Sequence, residues 1–176
     1  MSSYIFDMVE KCKRTHKTSD PFELADAVGA KVRYKELGKL KGLYLYDDRC
    51  RYILINHTLG YEDQRMVCAH ELGHDRLHQH FAKAAPLKDL MMYDYTSKPE
   101  YEANIFAANL LVEDSKIVEL AHDYDLISIG SMLGINPNLI TFKLASMKNR
   151  GFVLNFSQSV DSDFLREQRK IAQMRL

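Results

Sequence analysis

The string His70-Glu71-Leu72-Gly73-His74 sets two imidazoles four residues apart with a carboxylate between them. On a helix, positions i and i+4 share a face, so both rings can grip one metal ion while Glu71 works on the water beside it. A Lewis acid that polarises a carbonyl and lowers the pKa of water, next to a carboxylate that takes the proton, performs hydrolysis. Zinc is the ion that this ligand chemistry suits. The arrangement requires a helix, and the stretch from Glu62 to His80 offers one. It holds no proline, and Met66, Val67, Cys68, Ala69, Leu72 and Leu77 give it the apolar content of a buried element. Gly73 costs about 1 kcal/mol against Ala inside a helix, so its place in the motif asks for close approach of another backbone or side chain.

Two histidines do not hold catalytic zinc tightly, because such sites present three protein ligands plus water. His80 stands at the offset of the metzincin extension, but Leu77 occupies the position where that extension turns on a glycine, and His80 reads as a solvated residue past a helix end. His78 lies two turns beyond His70, about 12 Å along the axis, too far to share the ion but placed for a supporting or substrate-side role. The better candidate is Glu102. Ser97-Lys98-Pro99-Glu100 reads as a capped helix start, and Ile105, Phe106, Ala107, Leu110 and Leu111 continue the helix. Ala103, Ala107 and Ala108 keep it slim, so it can pack closely on the histidine helix and aim an early glutamate at the metal. The alternative is that Glu100 and Glu102 only complement the helix dipole. The residues alone favour that reading for Glu100 and leave Glu102 open.

Taken together, His70-Glu71-Leu72-Gly73-His74, Leu77-His78, Glu102-Ala103-Asn104, Phe106-Ala107-Ala108 and Leu110-Leu111 resemble the ImmA/IrrE family of metallopeptidases. The likeness extends back through Asp20-Pro21-Phe22-Glu23-Leu24-Ala25 and Val28-Gly29-Ala30-Lys31-Val32, and covers roughly Pro21 to Val112. It implies that His70, His74 and Glu102 are zinc ligands and that Glu71 is the general acid/base. It also implies a zincin-like fold and regulatory proteolysis, in which an enzyme of a prophage or mobile element cleaves a helix-turn-helix repressor. Glu113 departs from the pattern, since the family often has proline there, and the helix stop must come from elsewhere.

Composition narrows the function classes. The chain has 176 residues and is 46% hydrophobic, enough for one good core. Lys plus Arg equals Asp plus Glu at 24 each, so no overall basic field exists to hold nucleic acid, and direct DNA binding is not expected. Cys12, Cys50 and Cys68 are widely spaced with no C-x-x-C pair, which fits reduced thiols in the cytoplasm. No apolar run is long enough for a membrane span, and the N-terminus lacks a signal-peptide core.

Along the chain, Met1 to Lys17 has helical spacing, and Asp20-Pro21 opens a second helix that Gly29 can close. Short β-type runs follow at Lys31 to Tyr34, Gly42 to Tyr46 and Arg51 to Asn56, the last two forming a hairpin around Asp47-Asp48-Arg49. They predict a small sheet packed on the catalytic helix, whose edge could accept an extended peptide. Phe81 to Lys98 reads as a loop over the site, with Tyr93, Tyr95 and Tyr101 competing as oxyanion donors. Asp114 reads as an N-cap. Ser128 to Leu133, Gly134 and the Asn136-Pro137 start outline a helix-turn-helix, for which packing on the catalytic unit is favoured over DNA contact. Residues 157–176 form an amphipathic or frayed tail.

The expected fold is α+β: mainly helical, with a three-stranded sheet against the histidine helix, a peptidase domain over 1–125 and a helical C-terminal segment over 126–176. The expected function is a zinc-dependent endopeptidase acting on a partner protein. Its rival is a noncatalytic regulator that binds a repressor or DNA with the same fold.

Overall fold

The computed structural model describes residues 2–82, 87–89 and 97–153. The elements run α1 (Ser2–His16), α2 (Pro21–Ala27), β1 (Ala30–Lys35), β2 (Gly42–Asp47), β3 (Cys50–Asn56), α3 (Tyr61–Leu77), α4 (Gln79–Ala82), β4 (Leu87–Asp89), α5 (Lys98–Leu111), α6 (Asp114–Leu120), α7 (Leu126–Leu133) and α8 (Pro137–Asn149). The fold is mainly helical α+β with a small mixed sheet, as expected.

Local chemistry sets the boundaries. Asp20 caps α2, its side chain accepting from the Phe22 and Glu23 amides, and Pro21 takes the first helical position. The β2–β3 hairpin closes through Asp48 and Arg49, both at positive φ (42° and 61°), the two-residue geometry that matches strand twist. Ser97 caps α5 by accepting from the Glu100 amide. Helix α5 stops at Val112, whose φ −126° and ψ 121° are extended, so the missing proline is replaced by a change of backbone direction. Glu113, not Asp114, is the N-cap residue of α6. Asp114 sits in the first turn, and its carboxylate is taken by the basic side chains Lys143 and Arg150.

Within the sheet the order is β1-β3-β2-β4, with β1 parallel to β3 and the other neighbours antiparallel. The fourth strand was not anticipated. It pairs with Gly42, Leu43 and Tyr44 of β2, so that stretch is not an open edge for a peptide. Tyr44, Ile53 and Ile55 are buried and face the core with Val67, Cys68 and Leu72 of α3. The sheet is tied to α3 by Asp75, which accepts from the Tyr44 hydroxyl at 2.9 Å and from Arg51 Nη1 at 3.1 and 3.0 Å.

Helix α5 forms the other wall. A Cβ at Gly73 would lie 2.9 Å from the Ala103 Cα and 3.0 Å from its carbonyl oxygen, so the glycine lets the two helix backbones nearly touch. The helix-turn-helix outline is present as α7 and α8, with Gly134 in the left-handed conformation (φ 62°) between them. Leu139, Ile140, Phe142 and Met147 of α8 are buried, and Phe142 meets the Tyr101 ring of α5 at 5.6 Å. None of the described helices is long and apolar enough to cross a membrane. Tyr93, Tyr95 and the tail from Ser157 lie outside the described residues.

Candidate metal centre

Helix α3 buries His70, Glu71 and His74 almost completely. Their neighbours on α3 are buried with them: every residue from Met66 to Asp75 lies inside, so the polar triplet sits on a stretch of helix packed on all sides, with Val67, Ala69 and Leu72 around it. Burial of polar rings is costly unless each nitrogen has a role, and here each Nδ1 has a partner. His70 Nδ1 donates to Asn104 Oδ1 at 3.1 Å. His74 Nδ1 lies 3.1 Å from His78 Nδ1, and His78 Nε2 donates to Glu102 Oε2 at 3.1 Å.

The two Nε2 atoms therefore turn toward each other, 3.1 Å apart, and a carboxylate from α5 closes the triangle. That carboxylate belongs to Glu100. Its Oε2 is 3.1 Å from His70 Nε2 and its Oε1 is 3.3 Å from His74 Nε2. Four ligands at about 2.0–2.1 Å around a tetrahedral zinc are separated by about 3.3 Å, so these spacings suit a small tetrahedral cation. His70, His74 and Glu100 are the group of described residues whose ligand atoms converge in this way. Burial raises the Glu100 carboxyl, but its close contacts with the His70 and His74 rings outweigh this and hold the group well below the usual carboxylate range. Burial lowers the His74 imidazole to about 4, against the pull of Glu100. It lowers His78 as well, against the pull of Glu102. Both rings are thus neutral, the form that ligates metals.

The residue read from the sequence as third ligand, Glu102, is placed elsewhere. Two residues along a helix is a rotation of about 200°, so Glu100 and Glu102 cannot both face the histidine pair. With Ala103 against Gly73, the face of α5 toward α3 carries Glu100, Ala103, Asn104 and Ala107, while Glu102 reaches round to His78. A usable signal was present in the sequence. Asn104 stands four residues after Glu100, so one helical face supplies both the converging carboxylate and the acceptor that orients a histidine. Asn104 is thus the partner that orients His70, whereas Asp75, on the same helix as the histidines, belongs to the sheet contact. Tyr101 packs on Phe142.

Glu71 lies between the histidines on α3 and faces the start of β2. A Cβ built on Gly42 would collide with Glu71 Oε1 and Val67 Cγ1. The strand backbone thus presses on the carboxylate, and only glycine at that position leaves it room. The site combines three convergent side chains that can offer lone pairs with a buried, laterally confined carboxylate one residue from His70, which suits a hydrolytic metal centre.

Comparison with known proteins agrees with this chemistry. The family model described as IrrE N-terminal-like domain, peptidase M78, matches residues 25–129, more than half of the chain. A Bacillus phage phi105 protein named "Uncharacterized immunity region protein 2" is 35% identical over 144 residues, covering 80% of this chain and 90% of its own length. The metallopeptidase ImmA of Bacillus subtilis (strain 168) is 29% identical over 117 residues, covering 63% of this chain and 64% of its own. Both segments that build the site, the histidine helix and the Glu100 helix, fall inside the matched region. The chain belongs to the IrrE N-terminal-like, peptidase M78 family of metallopeptidases.

Proposed function

We propose that the chain is a zinc-dependent endopeptidase, with His70, His74 and Glu100 holding the ion and Glu71 acting as general base. The observation that carries this is the triangle of His70 Nε2, His74 Nε2 and Glu100 carboxylate oxygens at 3.1–3.3 Å, whose opposite ring nitrogens are already committed to other partners. Bound zinc would supply Lewis acidity toward the scissile carbonyl and toward water. Glu71 takes the proton of the attacking water and returns it to the leaving amine, and its confinement by Gly42 keeps the carboxylate from swinging away between those two transfers. Asn104 and His78 hold the two imidazoles so that their Nε2 lone pairs stay aimed at the ion.

The substrate we infer is a partner protein, a helix-turn-helix repressor of a phage or mobile element. The resemblance to ImmA/IrrE proteins and the phage relative named for an immunity region support it. Direct DNA contact is not part of this reading. Of the basic residues on and just after α8, Lys143 and Arg150 are engaged by Asp114, which leaves Lys148. The test is to incubate the zinc-loaded protein with helix-turn-helix repressors of phages and mobile elements and to follow cleavage by mass spectrometry. Glu71→Gln serves as the metal-retaining control. Cleavage by the native chain alone is expected. Stoichiometric binding of the repressor without cutting would overturn the peptidase reading in favour of a noncatalytic regulator.

A further inference from the structure

Glu102, His78 and His74 form a line of side chains that ends at the metal triangle and is made of residues from two helices. His78 caps the C-terminus of α3, its amide bonded to the His74 carbonyl at 2.8 Å, so its ring hangs one turn below the His74 ring. Their ring centroids are 5.2 Å apart. Glu102 approaches from α5 and has its side chain 14% exposed, against 3% for His78.

Protonation in this line follows from chemistry. A carboxylate oxygen accepts hydrogen bonds and does not donate, so the 3.1 Å contact puts the proton of neutral His78 on Nε2. His78 Nδ1 is then an acceptor, and the 3.1 Å contact with His74 Nδ1 requires His74 to carry its proton there. A neutral His74 protonated on Nδ1 presents Nε2 with a free lone pair, the atom that faces His70 and Glu100. His70 reaches the same state by a different route, through the Asn104 amide oxygen.

We propose that Glu102 and His78 are positioning residues for the metal site, fixing the tautomer and ring angle of His74 through two successive hydrogen bonds. The effect is twofold. It removes the entropy cost of selecting one tautomer on metal binding, and it lends carboxylate character to His74, raising its basicity as a ligand. Glu102 acts on the ion only through His78. The inference deepens the proposed function and rests on His74 being a ligand.

The experiment measures zinc affinity of the full chain by competition with a chromophoric chelator, together with the His74 ring tautomer in the metal-free protein by long-range proton–nitrogen NMR. His78→Ala is expected to weaken zinc binding about 10- to 100-fold and to leave His74 as a tautomer mixture. Glu102→Ala should weaken it less. The His78→Ala/Glu102→Ala double variant should bind as His78→Ala does, because a residue that works through another adds nothing once that one is gone. His78→Asn, whose side-chain oxygen can accept from His74 Nδ1, should recover part of the affinity. Zinc affinity unchanged in His78→Ala, or additive losses in the double variant, would overturn the proposal. Loss of fold in His78→Ala would show in the thermal melt of the metal-free protein, and the Glu102→Ala and His78→Asn variants then decide the matter by the same affinity readout. His74→Ala separates this failure from failure of the underlying reading. If it too leaves zinc affinity unchanged, the ligand set is wrong. If it abolishes binding while His78→Ala does not, only the positioning role falls.

Discussion

Helix α5 carries a buried polar cluster at each end, and the two solve opposite problems. Toward its N-terminus, Glu100 meets the ring nitrogens of His70 and His74, and the atoms pointed at the centre of that triangle are nitrogens and oxygens that can offer lone pairs. Toward its C-terminus, Asn109 meets Lys143 and Ser146 of α8, with Asp114 and Arg150 completing the group. Here positive and negative partners are both supplied by the chain. Asp114 takes Arg150 in a two-pronged pair at 2.6 and 2.8 Å and Lys143 at 2.7 Å, Asn109 Oδ1 accepts from Lys143, and the Arg150 guanidinium lies 3.7 Å from the Phe6 ring centroid. The lesson is in the sign balance. A buried cluster whose charges answer one another ties helices together, whereas one whose donors converge on a point asks for an ion from outside.

The largest expected effects break the first cluster. Glu100→Ala should abolish tight zinc binding in a chelator competition, while Glu102→Ala retains the ion. Retention of zinc by the first variant and its loss in the second would return Glu102 to the coordination sphere. Glu71→Gln should keep zinc and lose turnover by about 10²–10⁴-fold, whereas His74→Ala loses both; metal analysis beside a peptide cleavage assay reads the difference. Gly42→Ala forces a methyl into the space of the Glu71 carboxylate, and turnover should fall on the order of 10²-fold with zinc content unchanged.

Substitutions in the second cluster should instead change stability. Asp114→Asn leaves Lys143, 1% exposed, without its counter-charge, and a loss of about 3 kcal/mol is expected in urea denaturation, with zinc affinity intact. The same carboxyl gives a pH signature. Burial raises it, but hydrogen bonds from Arg150 and Lys143 outweigh this and bring it down to about 2. A folded value below the unfolded one means that its contribution is complete above the ordinary 3.8 and is lost as pH falls through about 2. Native protein should therefore show an acid-induced loss of stability in that window that Asp114→Asn lacks. The smallest effect belongs to the wall between the clusters: Gly73→Ala must push α3 and α5 apart and should cost about 1–3 kcal/mol.

Much of this was legible before the structure. Proline, capping residues and apolar content placed α3 and α5, and Gly73 in a helix interior correctly signalled a close helix contact. The His70, Glu71 and His74 motif was legible because its spacing matches one helical turn. The identity of the converging glutamate was not, because it depends on the rotation of α5 about its own axis, and that rotation is fixed by Ala103 meeting Gly73, a contact between distant segments. The three-residue β4 gave no signal, since so short a strand has no period to detect. The salt bridges of Asp114 were missed for a related reason: an acidic residue at a helix start also reads as a cap, and only the packing of α8 shows which use it serves.

The glycine at the head of β2 makes the sheet a gauge for the Glu71 carboxylate. Strand alternation means that a slip of one residue in the β2–β3 pairing would replace Gly42 with Leu43 and drive an isobutyl group into the place Glu71 occupies. The two-residue turn at Asp48 and Arg49, far from the histidines in sequence, sets that register. Under the proposed mechanism, correct closure of a surface hairpin is thus a condition for Glu71 to work as a base, and a chain that mispairs its strands could still gather His70, His74 and Glu100 and yet be inert.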